Sequence, residues 1–160
     1  MESRKQNRLP GFDYSAAGAY FVTICVQDRQ RLLSKIAVGD GVLDVPKICL
    51  SPEGRVVKNR IDEINKVYEH VSIDRYVIMP NHIHMIVRIH SGNGTSRTPS
   101  PTNSVLAQLV STFKRFVHRE LGCSIFQRSY YEHVIRNEED YLQICEYMEN
   151  NPAKWERDLP

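Results

Sequence analysis

Apolar and polar positions along the chain separate into extended runs and helical stripes. Ala19 to Val26 is dense in β-branched and aromatic residues, which suit a half-buried pleated surface, and predicts the first strand. Two shorter extended runs, Leu32 to Val38 and Val42 to Cys49, flank Gly39-Asp40-Gly41, a cluster that tolerates the positive φ of a hairpin turn. Ser51 then offers an N-cap before Pro52 and Glu53, and Val57, Ile61, Ile64 and Tyr68 follow at helical spacing, predicting a helix from about Pro52 to Glu69. Ile73 to Met79 and His82 to Ile89 are extended runs parted by Pro80-Asn81, and read as neighbouring strands or as one strand broken at Pro80. Ser91 to Asn103 holds almost nothing to bury and predicts a flexible loop. Ser104 caps a following helix whose apolar stripe is Val105, Leu109, Phe113, Phe116 and Val117, while Lys114, Arg115, His118 and Arg119 point elsewhere and make one flank basic. Tyr130 to Ile135 is a last extended run, and Asn137 to Asp140 supplies a cap and an acidic first turn for a terminal helix reaching about Asn151. The alternation predicts an α+β fold, an antiparallel sheet of split βαβ, ferredoxin-like kind, with the helices covering one face.

A length of 160 residues fits one domain spanning 1–160, and a hydrophobic content of 41% excludes wholesale disorder. The net charge of only +2 permits a local basic surface without demanding a polyanionic partner. Cys25, Cys49, Cys123 and Cys145 lack CxxC spacing and sit among apolar neighbours, so they read as small buried hydrophobes in a reducing setting. No apolar stretch approaches the roughly 20 residues that cross a bilayer, and the N-terminus shows no signal-peptide core. The expectation is a soluble, cytoplasmic protein with no membrane partner.

Two patterns could carry chemistry. His82 and His84 are two apart on a predicted strand, so both imidazoles project from one face while Ile83 and Met85 take the other. That outline suits a two-pronged metal ligand and equally a pair of histidines on a solvated strand face. On the terminal helix, at about 100° per residue, Tyr141, Ile144, Cys145 and Met148 form one apolar stripe. Tyr147 falls on its shoulder, with Asn151 one turn further along the same side. The pair fits a site, and also an ordinary shoulder aromatic followed by a helix terminator, because Pro152 disfavours helical geometry at Asn151.

Taken together, Leu9 to Tyr14, Gly18 to Cys25, Val77 to His84 with its Pro-Asn-His-Ile-His core, Phe126 to Arg136, and Glu146 to Pro152 with its Tyr-x-x-x-Asn spacing resemble the REP-associated tyrosine transposases, single-tyrosine members of the HUH nuclease group. The resemblance runs in order from Leu9 to about Trp155. It implies a single-stranded DNA endonuclease and strand-transferase on the HUH nuclease fold. His82, His84 and Asn151 would be ligands of a divalent metal, Mg²⁺ or Mn²⁺, and Tyr147 would be the nucleophile. Relatives that place Gln where Asn151 stands have an amide one methylene longer, and many carry Trp where Phe126 stands. A free tyrosine phenol titrates near 10, so the chemistry needs a base or an electrophile made more reactive by charge. The implied product is a 5′-phosphotyrosine and a free 3′-hydroxyl.

Candidates for DNA contact are Arg4, Lys5 and Arg8 on a basic N-terminal arm, Lys114, Arg115 and Arg119 on the helix flank, and Arg128 and Arg136 around the last strand, with Tyr130 or Tyr131 to stack an unpaired base. The expected partner is single-stranded or hairpin-forming repeat DNA, and the expected location is with the nucleoid. Two other readings stay open: a hairpin-binding protein whose catalysis has lapsed, and a cupin-like or hydrolytic metal enzyme, which would want a carboxylate or third histidine that Met85 to Arg88 does not offer. The short tail after Pro152 favours a monomer, with a homodimer as the alternative.

Overall fold

The structure, a computed structural model, describes residues 17–37, 46–90 and 105–155. Its strands are β1 (Gly18–Cys25), β2 (Ser34–Ala37), β3 (Lys47–Leu50), β4 (Val71–Ile78), β5 (His82–Ile89) and β6 (Tyr131–Ile135). The helices are α1 (Pro52–Val67), α2 (Val105–Leu121) and α3 (Glu138–Trp155). Four strands form an antiparallel sheet in the order β4-β5-β1-β6, while β2 and β3 pair as a separate ribbon. Pro80-Asn81 thus lies between two neighbouring strands rather than inside one. The hairpin turn at Gly39-Asp40-Gly41, the Ser91 to Asn103 loop, the Ser104 cap and the basic arm all lie outside the described residues.

Period-two alternation gives the sheet two buried faces. Tyr20, Val22 and Ile24 of β1 and Ile83, Met85 and Val87 of β5 pack with α1 and α2 into the main core. The opposite register, Ala19 on β1 and Ile86 on β5, packs against Ile144, Cys145 and Met148 of α3. The expectation that all helices share one face is therefore corrected: a strand apolar on both sides leaves a second face that also has to be covered, and α3 covers it.

Local details follow the same logic. The α2 stripe is Leu106, Leu109, Val110, Phe113 and Val117, and Phe116, expected in it, is 38% exposed beside the Arg60 guanidinium. Cys25 and Cys145 are buried free thiols, but Cys49 and Cys123 are exposed. Cys49 takes the outward phase of β3, and Cys123 follows Gly122, whose φ of 76° turns the chain out of α2. The terminal helix does not stop at Asn151; it continues through Pro152 to Trp155.

The start of α1 is fixed by close backbone approach. Ser51 Oγ donates toward the carbonyls of Leu32 and Leu33 at 2.7 and 2.8 Å and accepts from the Gly54 amide at 3.0 Å. A Cβ on Gly54 would stand 2.0 Å from the Leu33 carbonyl oxygen, so only glycine lets the helix sit there. Gly54→Ala is expected to destabilise the fold by about 1–3 kcal/mol, the usual range for overpacking, read as a lower urea midpoint at unchanged slope.

Candidate active site

His82 and His84 project from the α3 face of β5 with ring centroids 4.5 Å apart. Each ring is gripped through Nδ1. His82 Nδ1 lies 2.6 Å from Asn81 Oδ1, an atom that only accepts, so the proton sits on Nδ1 and Nε2 carries the lone pair. His84 Nδ1 lies 2.8 Å from the hydroxyl of Thr23, its register partner on β1, and its Nε2 is buried without a hydrogen-bond partner. Burial lowers the His82 pKa to about 4, helped by the Arg29 charge, and that of His84 to about 3, helped by His82. Both rings are neutral at pH 7, the state in which an imidazole can ligate a metal.

Helix α3 reaches this pair because its apolar stripe docks on Ala19 and Ile86. Tyr141 Oη also donates to Asp74 at 3.3 Å, and Arg75 pairs with Glu149 at 2.7 Å. Tyr147, on the shoulder of the stripe as expected, sets its ring edge-on to His84, 5.5 Å between centroids, and to Phe21 at 6.2 Å. It is 46% exposed, so its phenol is accessible. Asn151, 9% exposed, follows one turn later, and Trp155 one turn later again, its ring 6.2 Å from that of His82. Asn151 thus sits on the helix between two residues whose rings meet the imidazoles.

The donor set fits a divalent ion. Two neutral imidazoles, one with an orphaned buried nitrogen, lie on the sheet face that α3 covers, and α3 carries the buried Asn151. Among the described residues no three His, Cys, Asp or Glu side chains gather into a metal cluster. An ion here would therefore depend on the Asn151 amide and on groups brought by the substrate.

The other candidates are spread over the molecule. Arg4, Lys5 and Arg8 lie outside the described residues. Arg115 and Arg119 are exposed on α2, across the sheet from the histidines. Arg136 follows β6 at the Ala19 end of the sheet, away from His84. Tyr131 pairs with Thr23 and so shares the histidine face, and Arg128 is exposed on the segment leading to it. Tyr130 packs on the main core instead. Lys114 turns inward: its ammonium donates to the carbonyls of Gln127, Arg128 and Ser129 at 2.8, 3.3 and 3.2 Å, holding the segment that enters β6.

Sequence reasoning missed Thr23, Asn81, Arg29, Arg31 and Trp155 around the pair. Thr23 was readable only through strand register. Arg29 stands in a short 3-10 turn after β1, where Asp28 and Arg29 hold φ of 56° and 54°. Arg31 places its guanidinium 5.5 Å from the Trp155 ring centroid.

The family model described as IS200-like transposase matches residues 19–151. A Haemophilus influenzae protein described only as uncharacterized is 34% identical, over 99% of this chain and 93% of its own. Another from the same organism, provisionally named a REP-associated tyrosine transposase, is 25% identical over 89% of this chain and 74% of its own. A solved structure of a REP-associated tyrosine transposase bound to a REP hairpin shares the fold, with a TM-score of 0.62 at 20% identity over 92% of this chain and 74% of that one.

Burial lowers the Lys114 pKa to about 8, below its usual value of 10.5. A lysine with a depressed native pKa makes the folded state lose its proton first, so its contribution to stability rises as pH climbs from about 8 toward 10.5. In matched urea titrations the stability of the wild type relative to Lys114→Met is expected to increase across that window.

Proposed function

Because the chain belongs to the IS200-like transposase family, we propose that it cuts and rejoins single-stranded DNA through a covalent bond to Tyr147. The observation that carries this reading is the accessible Tyr147 ring standing edge-on to His84 within one chain. His82 and His84 through Nε2, and Asn151 through its amide oxygen, would hold a divalent ion, Mg²⁺ or Mn²⁺. When bound, such an ion neutralises charge developing on the scissile phosphate.

The chain's own residues account for the rest. Thr23 and Asn81 hold the two imidazoles through Nδ1, which leaves Nε2 of each ring as the nitrogen to ligate an ion. Phe21 stacks on His84 at 5.1 Å and lies edge-on to Tyr147, keeping water from one side of the reacting groups. Tyr147 Oη attacks the phosphorus and the bond to the 3′ oxygen breaks. The phenol gives up a proton, the departing 3′ oxygen gains one, and the 5′ phosphate stays on the tyrosine. The phosphotyrosine keeps the energy of the phosphodiester, so a 3′-hydroxyl from another strand reverses the attack without ATP.

The similar protein solved with a REP hairpin supports hairpin-forming DNA as the substrate class. Arg128 and Tyr131 are the earlier DNA candidates nearest the histidine face, and we assign them backbone and base contact.

Incubated with a REP-type hairpin oligonucleotide and Mn²⁺, the wild type is expected to form an adduct that mass spectrometry locates on Tyr147. Tyr147→Phe and EDTA should each abolish it, and undiminished cleavage by Tyr147→Phe would reject the nucleophile. Hairpin binding without an adduct under any divalent metal would instead make the chain a non-catalytic binder. Thr23→Val should weaken Mn²⁺ binding by about 10–100-fold in calorimetry, the usual loss when a ligand's supporting hydrogen bond is removed.

A further inference from the structure

Trp155 lies where a sequence reading ends the helix too early. It completes the line Tyr147, Asn151, Trp155 on successive turns of α3, and its ring stands beside His82 as that of Tyr147 stands beside His84. The Arg31 guanidinium lies over the indole. Arg29 follows the end of β1 where Cys25 pairs with His82 and the Val26 amide donates to the Asn81 carbonyl at 2.9 Å, and its own amide donates to the Val26 carbonyl at 3.1 Å in a turn with two consecutive non-glycine residues in the left-handed region. Such residues are strained and persist where surrounding structure enforces them, often at functional sites. Among the described residues neither Arg29 nor Arg31 has a carboxylate partner, although both are exposed.

Two guanidiniums without a carboxylate partner among the described residues and a half-buried indole at one edge of the histidine pair have the composition of a nucleotide-binding surface. The cations suit phosphate oxygens and the indole suits the face of an unstacked base. The geometry points to a nucleotide subsite formed by Arg29, Arg31 and Trp155, which seats the nucleotide next to the scissile phosphate by stacking its base on Trp155 and neutralising its phosphate. The inference rests on the proposed strand cleavage, since only a strand crossing the histidines would pass this edge. Base stacking is indifferent to sequence, so the subsite should accept any base and reject an abasic unit.

Trp155 is the chain's single tryptophan, so its emission reports on the subsite alone. The experiment titrates full-length Tyr147→Phe protein with fluorescein-labelled dT12, following anisotropy, and with unlabelled dT12 or an abasic 12-mer, following tryptophan emission. The expected result is quenching by dT12 and little by the abasic strand. Trp155→Ala should weaken dT12 binding about five- to tenfold and Trp155→Phe much less, the stacking range for one base. Arg31→Ala should lower the slope of log affinity against log salt by about one. Calorimetry with Mn²⁺ alone guards against a purely structural role: Trp155→Ala should bind the ion like its parent. Equal quenching by both strands, unchanged dT12 affinity in Trp155→Ala, or Mn²⁺ affinity falling in parallel with that for dT12 would each overturn the subsite. If those results came with an intact Tyr147 adduct in the wild type, strand cleavage would stand without the subsite. Absence of both dT12 binding and adduct would remove both.

Discussion

The seating of α3 on the sheet is the contact on which the site depends. Ile144, Cys145 and Met148 bury themselves against Ala19 and Ile86, and burying side chains of the Ile and Met size is worth roughly 1.5–3 kcal/mol each. That stripe fixes the rotation of the helix. Once it is fixed, Tyr147, Asn151 and Trp155 have no freedom over which way they face, and β5 has none over where it sends His82 and His84. Two periodicities, 3.6 on the helix and 2 on the strand, are thus locked in phase by a small apolar patch. The polar ties at its margin, Arg75 to Glu149 and Tyr141 to Asp74, lie at the surface and add orientation more than stability.

Much of this was legible in the order of residues. The histidine pair needed only strand alternation, and β5 occupies His82 to Ile89 as its apolar pattern requires. The shoulder position of Tyr147 needed only helical spacing. What could not be read were consequences of tertiary packing. Nothing local says that β1 and β5 are apolar on both sides because separate helices cover them, so α3 was expected on the wrong face. Lys114 reads as a solvated cation until the chain entering β6 brings three carbonyls to it. Pro152 reads as a stop because the rule against proline inside helices weighs local strain alone, and here the contacts of the last turn outweigh it.

The make-up of the site also says what it leaves to its substrate. Two imidazoles and an amide carry no negative charge, unlike the carboxylate-rich cages that hold Mg²⁺ or Ca²⁺ unaided. A divalent ion seated there would keep its full positive charge for a phosphodiester. On that reading, weak standing affinity for metal and strong demand for a phosphate would be two sides of one choice of donors.

Pro152 has one more effect. It has no amide hydrogen to give the carbonyl of Met148, so the ladder of α3 lacks a rung between Tyr147 and Trp155. The last turn therefore leans more on what touches it from outside, the Arg31 guanidinium and the His82 ring beside Trp155. Occupancy at Trp155 and order in that turn are then thermodynamically linked, so part of any binding energy there is spent on stiffening the helix end. Stiffness gained at that end is transmitted along the same rod to the phenol two turns away, so a strand stacked on the indole, as proposed, would steady Tyr147 without touching it.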